Sequence, residues 1–194
     1  MKNKDNITGI ILAGGKSTRM GSDKGFIEID GTSFMSRIIN VLAPFVKEII
    51  IVSDNPDYDS FGSKRVEDIF KNSGPLAGLY TGLEHSKTED NLVLSCDVPL
   101  INHEVISELI QTCDSEADIV QIESRGRVMP LVAMYKKRCL GPCLRLLQNG
   151  ERRLRSIQTV AITKTIDLKF EYAPYVRNIN TIEELKEIRH EIEH

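Results

Sequence analysis

Apolar residues follow two periodicities along the chain, one typical of buried strands and the other typical of helices. Continuous apolar and β-branched runs predict strands with both faces buried, at 7–13, 48–53, 64–70, 91–96, 117–123 and 128–135. Apolar residues at helical spacing predict helices, which follow residues 32–33, begin at Gly74-Pro75, and cover 103–113, 138–148, 151–157 and the segment after 181. This alternation predicts a three-layer α/β/α fold around a mainly parallel sheet.

Residues at the predicted helix starts support this pattern. Thr32 and Ser33 are good N-cap types in front of the first helix. Pro75 suits the first turn of the next helix, where a missing N–H costs nothing. Thr181 and Glu184 have the spacing of a capping box, in which each side chain satisfies a backbone amide of the other. These signals place helix starts directly after predicted strands or loops.

Composition and charge narrow the class of protein. The 194 residues, of which 41% are hydrophobic, suit one globular domain over 1–194. The net charge of −3 provides no general attraction for nucleic acid, so any bound anion needs a local cluster of cations. The chain has no apolar run of membrane-spanning length, and its first residues lack the apolar region of a signal peptide. We therefore expect a cytoplasmic protein that binds neither nucleic acid nor membrane.

The four cysteines do not form a metal-binding pattern. Only Cys139 and Cys143 are close in sequence, and no second pair stands at the spacing of a zinc site. We expect Cys96, Cys113, Cys139 and Cys143 to be ordinary reduced thiols.

A glycine-rich polar loop follows the first predicted strand, where parallel sheets bind their ligands. Residues 12–24 read LAGGKSTRMGSDK. The adjacent Gly14 and Gly15 let the backbone approach a ligand and direct N–H groups at phosphate oxygens. Lys16, Arg19 and Lys24 supply the positive charge that a triphosphate requires. A phosphate-loop ATPase is not well supported, because its motif needs glycine where Ile10 stands, and neither is a nicotinamide dehydrogenase, because the adjacent glycines do not match the dinucleotide fingerprint.

Acidic residues at two further strand ends are candidates for metal and nucleotide contacts. Asp97 follows an apolar strand and precedes Val98-Pro99, so it should project towards the ligand crevice. Mg²⁺ takes one or two carboxylates plus phosphates and water, so Asp97 alone suffices; the alternative is a cap for the helix near His103. Asp68 is either a nucleotide contact or a surface carboxylate, and Ser53 and Asn55 occupy a comparable strand end.

A second basic group follows Asn149-Gly150, a natural helix stop. Arg152, Arg153 and Arg155 either receive an anionic acceptor or form a solvated surface.

The motifs taken together resemble molybdenum cofactor guanylyltransferases, within the wider group of Rossmann-like nucleotidyltransferases. The resemblance begins in the glycine-rich loop and covers nearly the whole chain in the same order. It continues through Gly-Pro-Leu-Ala-Gly at 74–78, Cys-Asp-Val-Pro at 96–99, Pro-Leu-Val-Ala-Met-Tyr at 130–135 and Asn-Ile-Asn-Thr at 178–181.

The resemblance implies transfer of GMP from GTP to the phosphate of molybdenum-loaded molybdopterin, with release of pyrophosphate and with Mg²⁺ as cofactor. It implies cofactor-assembly or acceptor proteins as further partners. The implied nucleotide-binding residues are Leu12, Ala13, Gly14, Gly15, Lys24, Asp68 and Asp97. Asp97 would also hold the metal, and Arg19 and Lys24 would stabilise charge on the reacting phosphates. Asn178 and Asn180 would face the acceptor or the metal, although helix capping is an alternative for Asn180. In the basic group described above, Arg153 is the candidate for the acceptor's phosphate.

Two other functions stay open at this point. One is a cytidylyltransferase acting on molybdopterin or another small phosphorylated acceptor, and the other is a nucleotide-binding module without turnover. Gly14 favours GTP over CTP, because related cytidylyltransferases tend to carry alanine there and a side chain would crowd a purine. The intact loop cations and Asp97 argue against a module that only binds.

Overall fold

The computed structural model describes residues 3–14 and 23–193. The strands in this part of the chain are β1 (Ile7–Leu12), β2 (Glu28–Ile29), β3 (Thr32–Ser33), β4 (Glu48–Val52), β5 (Lys64–Val66), β6 (Asp90–Ser95), β7 (Ile119–Ser124), β8 (Arg127–Lys136) and β9 (Thr163–Asp167). The α-helices are α1 (Phe34–Leu42), α2 (Gly74–His85), α3 (His103–Thr112), α4 (Leu140–Gln148) and α5 (Ile182–Glu193). None of the described helices is long and apolar enough to span a bilayer.

Seven of the described strands form one mixed sheet in the order β5-β4-β1-β6-β8-β7-β9. β8 runs antiparallel to both β6 and β7, while the pairs β1–β4, β1–β6, β4–β5 and β7–β9 are parallel. β2 and β3 pair as a separate small hairpin. The prediction of a mainly parallel α/β fold is therefore confirmed.

Helices cover both faces of the sheet, and β1 shows how they do so. Its odd-numbered residues Ile7 and Ile11 pack into a core with α1 and α3. Its even-numbered residues Ile10 and Leu12 pack into a second core with α2 and α4. Every residue of β1 is consequently buried, as the continuous apolar run predicted.

Two glycines bring α2 unusually close to β1. A Cβ atom on Gly82 would lie 2.5 Å from Cγ2 of Ile10, and one on Gly78 would lie 3.3 Å from the δ-methyl groups of Leu12. The absence of side chains at these positions sets the distance between helix and strand. The first turn of α2 consequently lies beside the carboxyl end of β1.

Some predicted elements differ from the structure in length or type. The third strand ends at Val66 instead of residue 70, because the amide of Asp68 donates to the Asp54 carboxylate (3.0 Å) instead of a neighbouring strand. The predicted helix at 151–157 is a short 3₁₀ helix, Leu154–Thr159. β9 was not predicted, since this edge strand is mostly exposed and lacks an apolar run. The two-residue strands β2 and β3 are too short to produce a period.

The cysteines agree with the prediction of reduced thiols. All four lie in the described part of the chain, and all are buried and free. Burial raises the pKa of Cys96 to about 12, so this thiol stays protonated near neutral pH.

Candidate active site

A cavity of about 540 Å³ opens at the carboxyl ends of β1 and β4, beside the first turn of α2. Its lining includes the predicted nucleotide-binding residues Leu12, Ala13, Gly14 and Asp68, together with Ser53, Asp54, Asn55, Ser73 and Gly74. Lys24 and Asp97, which were also predicted for this site, are not among the residues that line this cavity, and Gly15 and Arg19 lie outside the described residues.

Backbone hydrogen bonds connect the carboxyl ends of β1, β4 and β6 beside this cavity. Ala13 N donates to Val52 O (3.0 Å), and Cys96 N donates to Leu12 O (3.1 Å). Gly14 follows as an exposed residue, and a Cβ atom placed there would meet no described atom within 4 Å. Gly14 is thus one of the lining residues to which no other described residue packs closely.

Lys24, Asp97 and Asn180 meet although they are far apart in sequence. The Lys24 Nζ atom lies 3.8 Å from Asp97 Oδ2 and donates to Asn180 Oδ1 at 2.5 Å. The Lys24 and Asp97 side chains are each 17% exposed, so solvent reaches the pair only in part. Residues predicted for the reacting phosphates, the metal and the acceptor thus form one cluster.

The Asp97 carboxylate has one free oxygen. Its Oδ1 atom is buried and has no hydrogen-bond partner among the described residues. The alternative role as a helix cap does not apply, since Asn102 caps α3 by accepting from the amide of Val105 (3.1 Å). A buried carboxylate oxygen without a donor is a suitable ligand for a hard cation.

The segment that carries Asn180 is fixed to the Asp97 turn and to α5. Ile179 N donates to the backbone oxygen of Asp97 (2.7 Å). Thr181 Oγ1 accepts from Glu184 N (3.1 Å), as the predicted capping box requires. The Glu184 carboxylate accepts from Asn180 N (2.6 Å) instead of the Thr181 amide, so this half of the box differs by one residue. This hydrogen bond ties the backbone at Asn180 to α5.

Asp68 is a partly buried wall of the cavity, not a free surface carboxylate. Its Oδ1 atom accepts from the Thr81 hydroxyl of α2 (2.9 Å). Burial raises the pKa of Asp68, and the negative charge of Asp54 raises it further. The hydrogen bond from Thr81 lowers this pKa, but the net shift is upward. Asp54 itself is held by Lys71 at 2.6 Å, which lowers the pKa of Asp54.

The start of α2 faces the same cavity. Asn72 and Gly74 have positive φ angles of 55° and 73°, which turn the chain sharply into the helix. Within the described residues, the Ser73 side chain makes no capping hydrogen bond to this helix. The first amides of a helix attract anions, so this end suits a phosphate or carboxylate group.

A second cavity of about 400 Å³ adjoins the first through Leu131, which lines both. The predicted acceptor residues Asn178 and Asn180 line it, together with Arg127, Pro130, Arg155, Arg177 and Glu184. Leu131 belongs to an irregular part of β8, where the pairing with β7 jumps from Ala133 to Met129. Three arginines at this cavity favour an anionic ligand.

The basic group after residue 150 divides between surface and cavity. The Arg153 side chain is 83% exposed and forms an ion pair with Glu151 (3.0 Å). Arg155 lines the second cavity instead, so the structure places this arginine, and not Arg153, beside Asn178 and Asn180. Sequence reasoning missed Arg127 and Arg177, whose only signal was their position next to the motifs at 130 and 178.

Asp23 is a further residue that sequence reasoning missed. Its carboxylate accepts hydrogen bonds from the Tyr58 hydroxyl and from Asn55 Nδ2 (3.3 Å). Asp23 also caps the short 3₁₀ helix Lys24–Phe26, which begins with the lysine of the cluster. Its only signal was its place directly before Lys24 in the loop motif.

Comparison with known proteins gives a consistent family. Residues 9–164 match the MobA-like NTP transferase domain. The molybdenum cofactor guanylyltransferase of Desulfosudis oleivorans is 32% identical over 189 residues, which cover 94% of each chain. That of Photobacterium profundum is 28% identical over 190 residues, covering 96% of this chain and 97% of its own.

Solved structures agree with the fold and the sequence match. A protein of Aquifex aeolicus is 29% identical with a TM-score of 0.79, covering 93% of this chain and 96% of its own. Molybdopterin-guanine dinucleotide biosynthesis protein A of Archaeoglobus fulgidus has a TM-score of 0.80 at 19% identity, covering 96% of this chain and 98% of its own. With most of its length matched by the family's domain, and with its motif residues gathered at one sheet edge, this chain belongs to the MobA-like NTP transferase family.

Proposed function

We propose that this protein transfers GMP from GTP to the phosphate of molybdenum-loaded molybdopterin and releases pyrophosphate. The meeting of Lys24 and Asp97 with Asn180, which lines the second of two adjoining cavities, supports this proposal most directly. The names of the relatives, molybdenum cofactor guanylyltransferases, suggest the two substrates. The alternative of a cytidylyltransferase is tested by the same experiment.

The cavity beside β1 and β4 would hold the nucleotide. Its lining includes Ser53 and Asp68 as well as Gly14, so the base and ribose would lie near Ser53 and Asp68, with the phosphates near Gly14. The amides of the glycine-rich loop and of the first turn of α2 would bind phosphate oxygens. This assignment leaves the α-phosphate close to the cluster of Lys24 and Asp97.

The acceptor would lie in the second cavity, with its phosphate directed towards the first. The side chains of Arg127, Arg155 and Arg177 supply positive charge for an anionic pterin phosphate. Asn180 reaches the cluster from this side, through its hydrogen bond from Lys24. The two substrates would therefore meet where the cavities adjoin, next to Leu131.

In the proposed reaction an oxygen of the acceptor phosphate attacks the α-phosphorus of GTP in line. The new bond joins the acceptor to GMP, and the bond between the α-phosphorus and the bridging oxygen breaks to release pyrophosphate. The attacking phosphate is already ionised at neutral pH, so no general base is needed. Catalysis then depends on alignment and on charge stabilisation, for which Lys24 is the described cation of the cluster.

Asp97 would hold Mg²⁺, since its unpartnered buried oxygen suits a hard cation. The described residues contain no group of three or more histidine, cysteine, aspartate or glutamate side chains placed to bind a metal, so the remaining ligands would be phosphate oxygens and water. When bound, the ion would neutralise negative charge on the reacting phosphates.

We also propose that the chain works as one nucleotidyltransferase domain in the cytoplasm. The four free, buried cysteines support a reducing compartment, because paired cysteines are common only in oxidising ones.

The decisive experiment measures pyrophosphate release with each of the four NTPs, Mg²⁺ and molybdopterin. We expect release with GTP that requires both the acceptor and the divalent ion. Faster release with CTP would replace the guanylyl assignment by the cytidylyl alternative. Nucleotide binding without pyrophosphate release from any NTP would indicate a module that only binds. The Asp97→Asn variant serves as the inactive control.

A further inference from the structure

The residue before Lys24 is held by a loop from another part of the chain. Asp23 Oδ1 accepts from the hydroxyl of Tyr58, and Asp23 Oδ2 accepts from Asn55 Nδ2 at 3.3 Å. Both donors come from the segment after β4, where Asn55 caps the 3₁₀ helix Pro56–Phe61. Both oxygens of the Asp23 carboxylate are therefore fixed by residues more than thirty positions away in sequence.

Tight packing leaves little freedom around this carboxylate. Tyr58 is fully buried, and its ring centroid lies 4.8 Å from that of Phe26 and 5.8 Å from that of Phe61. A Cβ atom on Gly25 would lie 2.6 Å from Cε1 of Tyr58, so only glycine fits against the ring. The turn that contains Lys24 thus packs directly on the tyrosine.

The Tyr58 hydroxyl stays a hydrogen-bond donor throughout the neutral pH range. Burial raises the pKa of Tyr58 well above its usual value, and the nearby Cys96 and Asp23 add to this effect. A buried hydroxyl that lost its acceptor would cost free energy, so the pair with Asp23 is strongly favoured. This bond orients the backbone immediately before Lys24.

We propose that Tyr58, assisted by Asn55, is a positioning residue that aims the Lys24 ammonium at the reacting phosphates. The proposal rests on the transferase function above. Lys24 reaches across to Asp97 and Asn180, and a shift of its backbone would move the ammonium away from both. Asn55 also lines the nucleotide cavity, so the same loop contacts the nucleotide site and orients its cation.

Tyr58→Phe tests the proposal because it removes one oxygen and keeps the ring in its aromatic contacts. Tyr80→Phe is the matched control, since Tyr80 is a half-buried tyrosine that packs on Phe70. The first measurement is the rate at which an amine-reactive reagent modifies Lys24, read by mass spectrometry. Lys164, which is 51% exposed, serves as the internal reference in each sample. We expect Lys24 to react several-fold faster in Tyr58→Phe and at the wild-type rate in Tyr80→Phe.

The second measurement is turnover. We expect Tyr58→Phe to lower kcat by roughly ten- to a hundredfold, because misplacement of a catalytic group by about 1 Å has effects of this size. The KM for GTP should change by less than about threefold. In the Lys24→Ala background the same substitution should change kcat by less than about twofold, since a positioning residue acts only through the residue that it positions.

The outcomes separate this proposal from the transferase function. An unchanged modification rate of Lys24 in Tyr58→Phe overturns the positioning role, whatever the activity. A wild-type kcat in Tyr58→Phe, or an equal loss of kcat in the Lys24→Ala background, overturns it as well. Failure of the wild-type protein to release pyrophosphate contradicts the transferase function alone, and the modification rates still decide the position of Lys24.

Discussion

Replacing Lys24 by methionine removes the ammonium group but keeps most of the apolar side chain. The change deletes the hydrogen bond to Asn180 at 2.5 Å and the ion pair to Asp97 at 3.8 Å. Both contacts are partly exposed, so we expect a loss of unfolding free energy of only about 1–2 kcal/mol. For a chain of this size that corresponds to a fall in Tm of roughly 2–8 °C.

The expected loss in catalysis is larger than the loss in stability. A charged contact made to the transition state contributes about 3–4 kcal/mol, so kcat should fall by roughly a hundred- to a thousandfold. The larger effect on kcat follows because the ammonium lies beside the carboxylate that would hold the metal and donates to Asn180, which lines the second cavity.

The assay is pyrophosphate release at saturating GTP, acceptor and Mg²⁺, with thermal unfolding recorded on the same samples. Lys164→Met is the matched control, because Lys164 is 51% exposed and pairs with Asp114 (3.4 Å). A Lys24→Met variant with wild-type kcat would refute the catalytic role. A fall in kcat that merely parallels the loss of folded protein would refute the separation of catalysis from folding.

Three further substitutions examine the metal ligand, base selection and helix packing. Asp97→Asn should stay folded and lose Mg²⁺-dependent turnover, because the amide lacks the charge that the cation requires; a Mg²⁺ titration that matches wild type would eliminate Asp97 as the ligand. Gly14→Ala should unfold at nearly the wild-type Tm, since its Cβ would meet no described atom within 4 Å, and should lower the ratio of GTP to CTP turnover; an unchanged ratio would remove Gly14 as the determinant. Gly82→Ala should lower the free energy of unfolding by about 1–3 kcal/mol in urea, because its Cβ would lie 2.5 Å from Ile10; wild-type stability would show that α2 can move away from β1.

The local sequence pattern predicted the central elements of this fold correctly. The strands β1, β4 and β6 are largely buried on both faces, and a strand in that position needs apolar residues at successive positions. Their continuous apolar runs therefore predicted them. The start of α2 was predicted from Gly74-Pro75, because proline suits the first turn of a helix, and the structure begins the helix at Gly74. Asp97 was predicted to be a site residue because a polar side chain at the end of a buried strand has few structural reasons to be there, and its role stays a prediction.

Pairings over long distances along the chain were not predictable from these patterns. Tyr58 donates to Asp23 across 35 positions, and Lys24 donates to Asn180 across 156. The motifs marked Lys24 and Asn180 as candidates one by one, but no local pattern indicated that they meet, since only the folding of the sheet brings the partners together. Arg153 and Arg155 show the same limit, since only the folded chain shows that Arg155 lines the second cavity while Arg153 pairs with Glu151.

The sequence by itself determined properties that belong to a single element, namely its burial, its cap and the polar residue at its end. These properties depend on residues within a few positions of each other, so the local sequence contains the information that is needed to predict them. The tertiary structure decided the edge strand β9, the meeting of Lys24 with Asp97 and Asn180, and the adjacency of the two cavities. Such features depend on strand order and helix packing, because contacts between distant segments arise from the burial of many side chains at once.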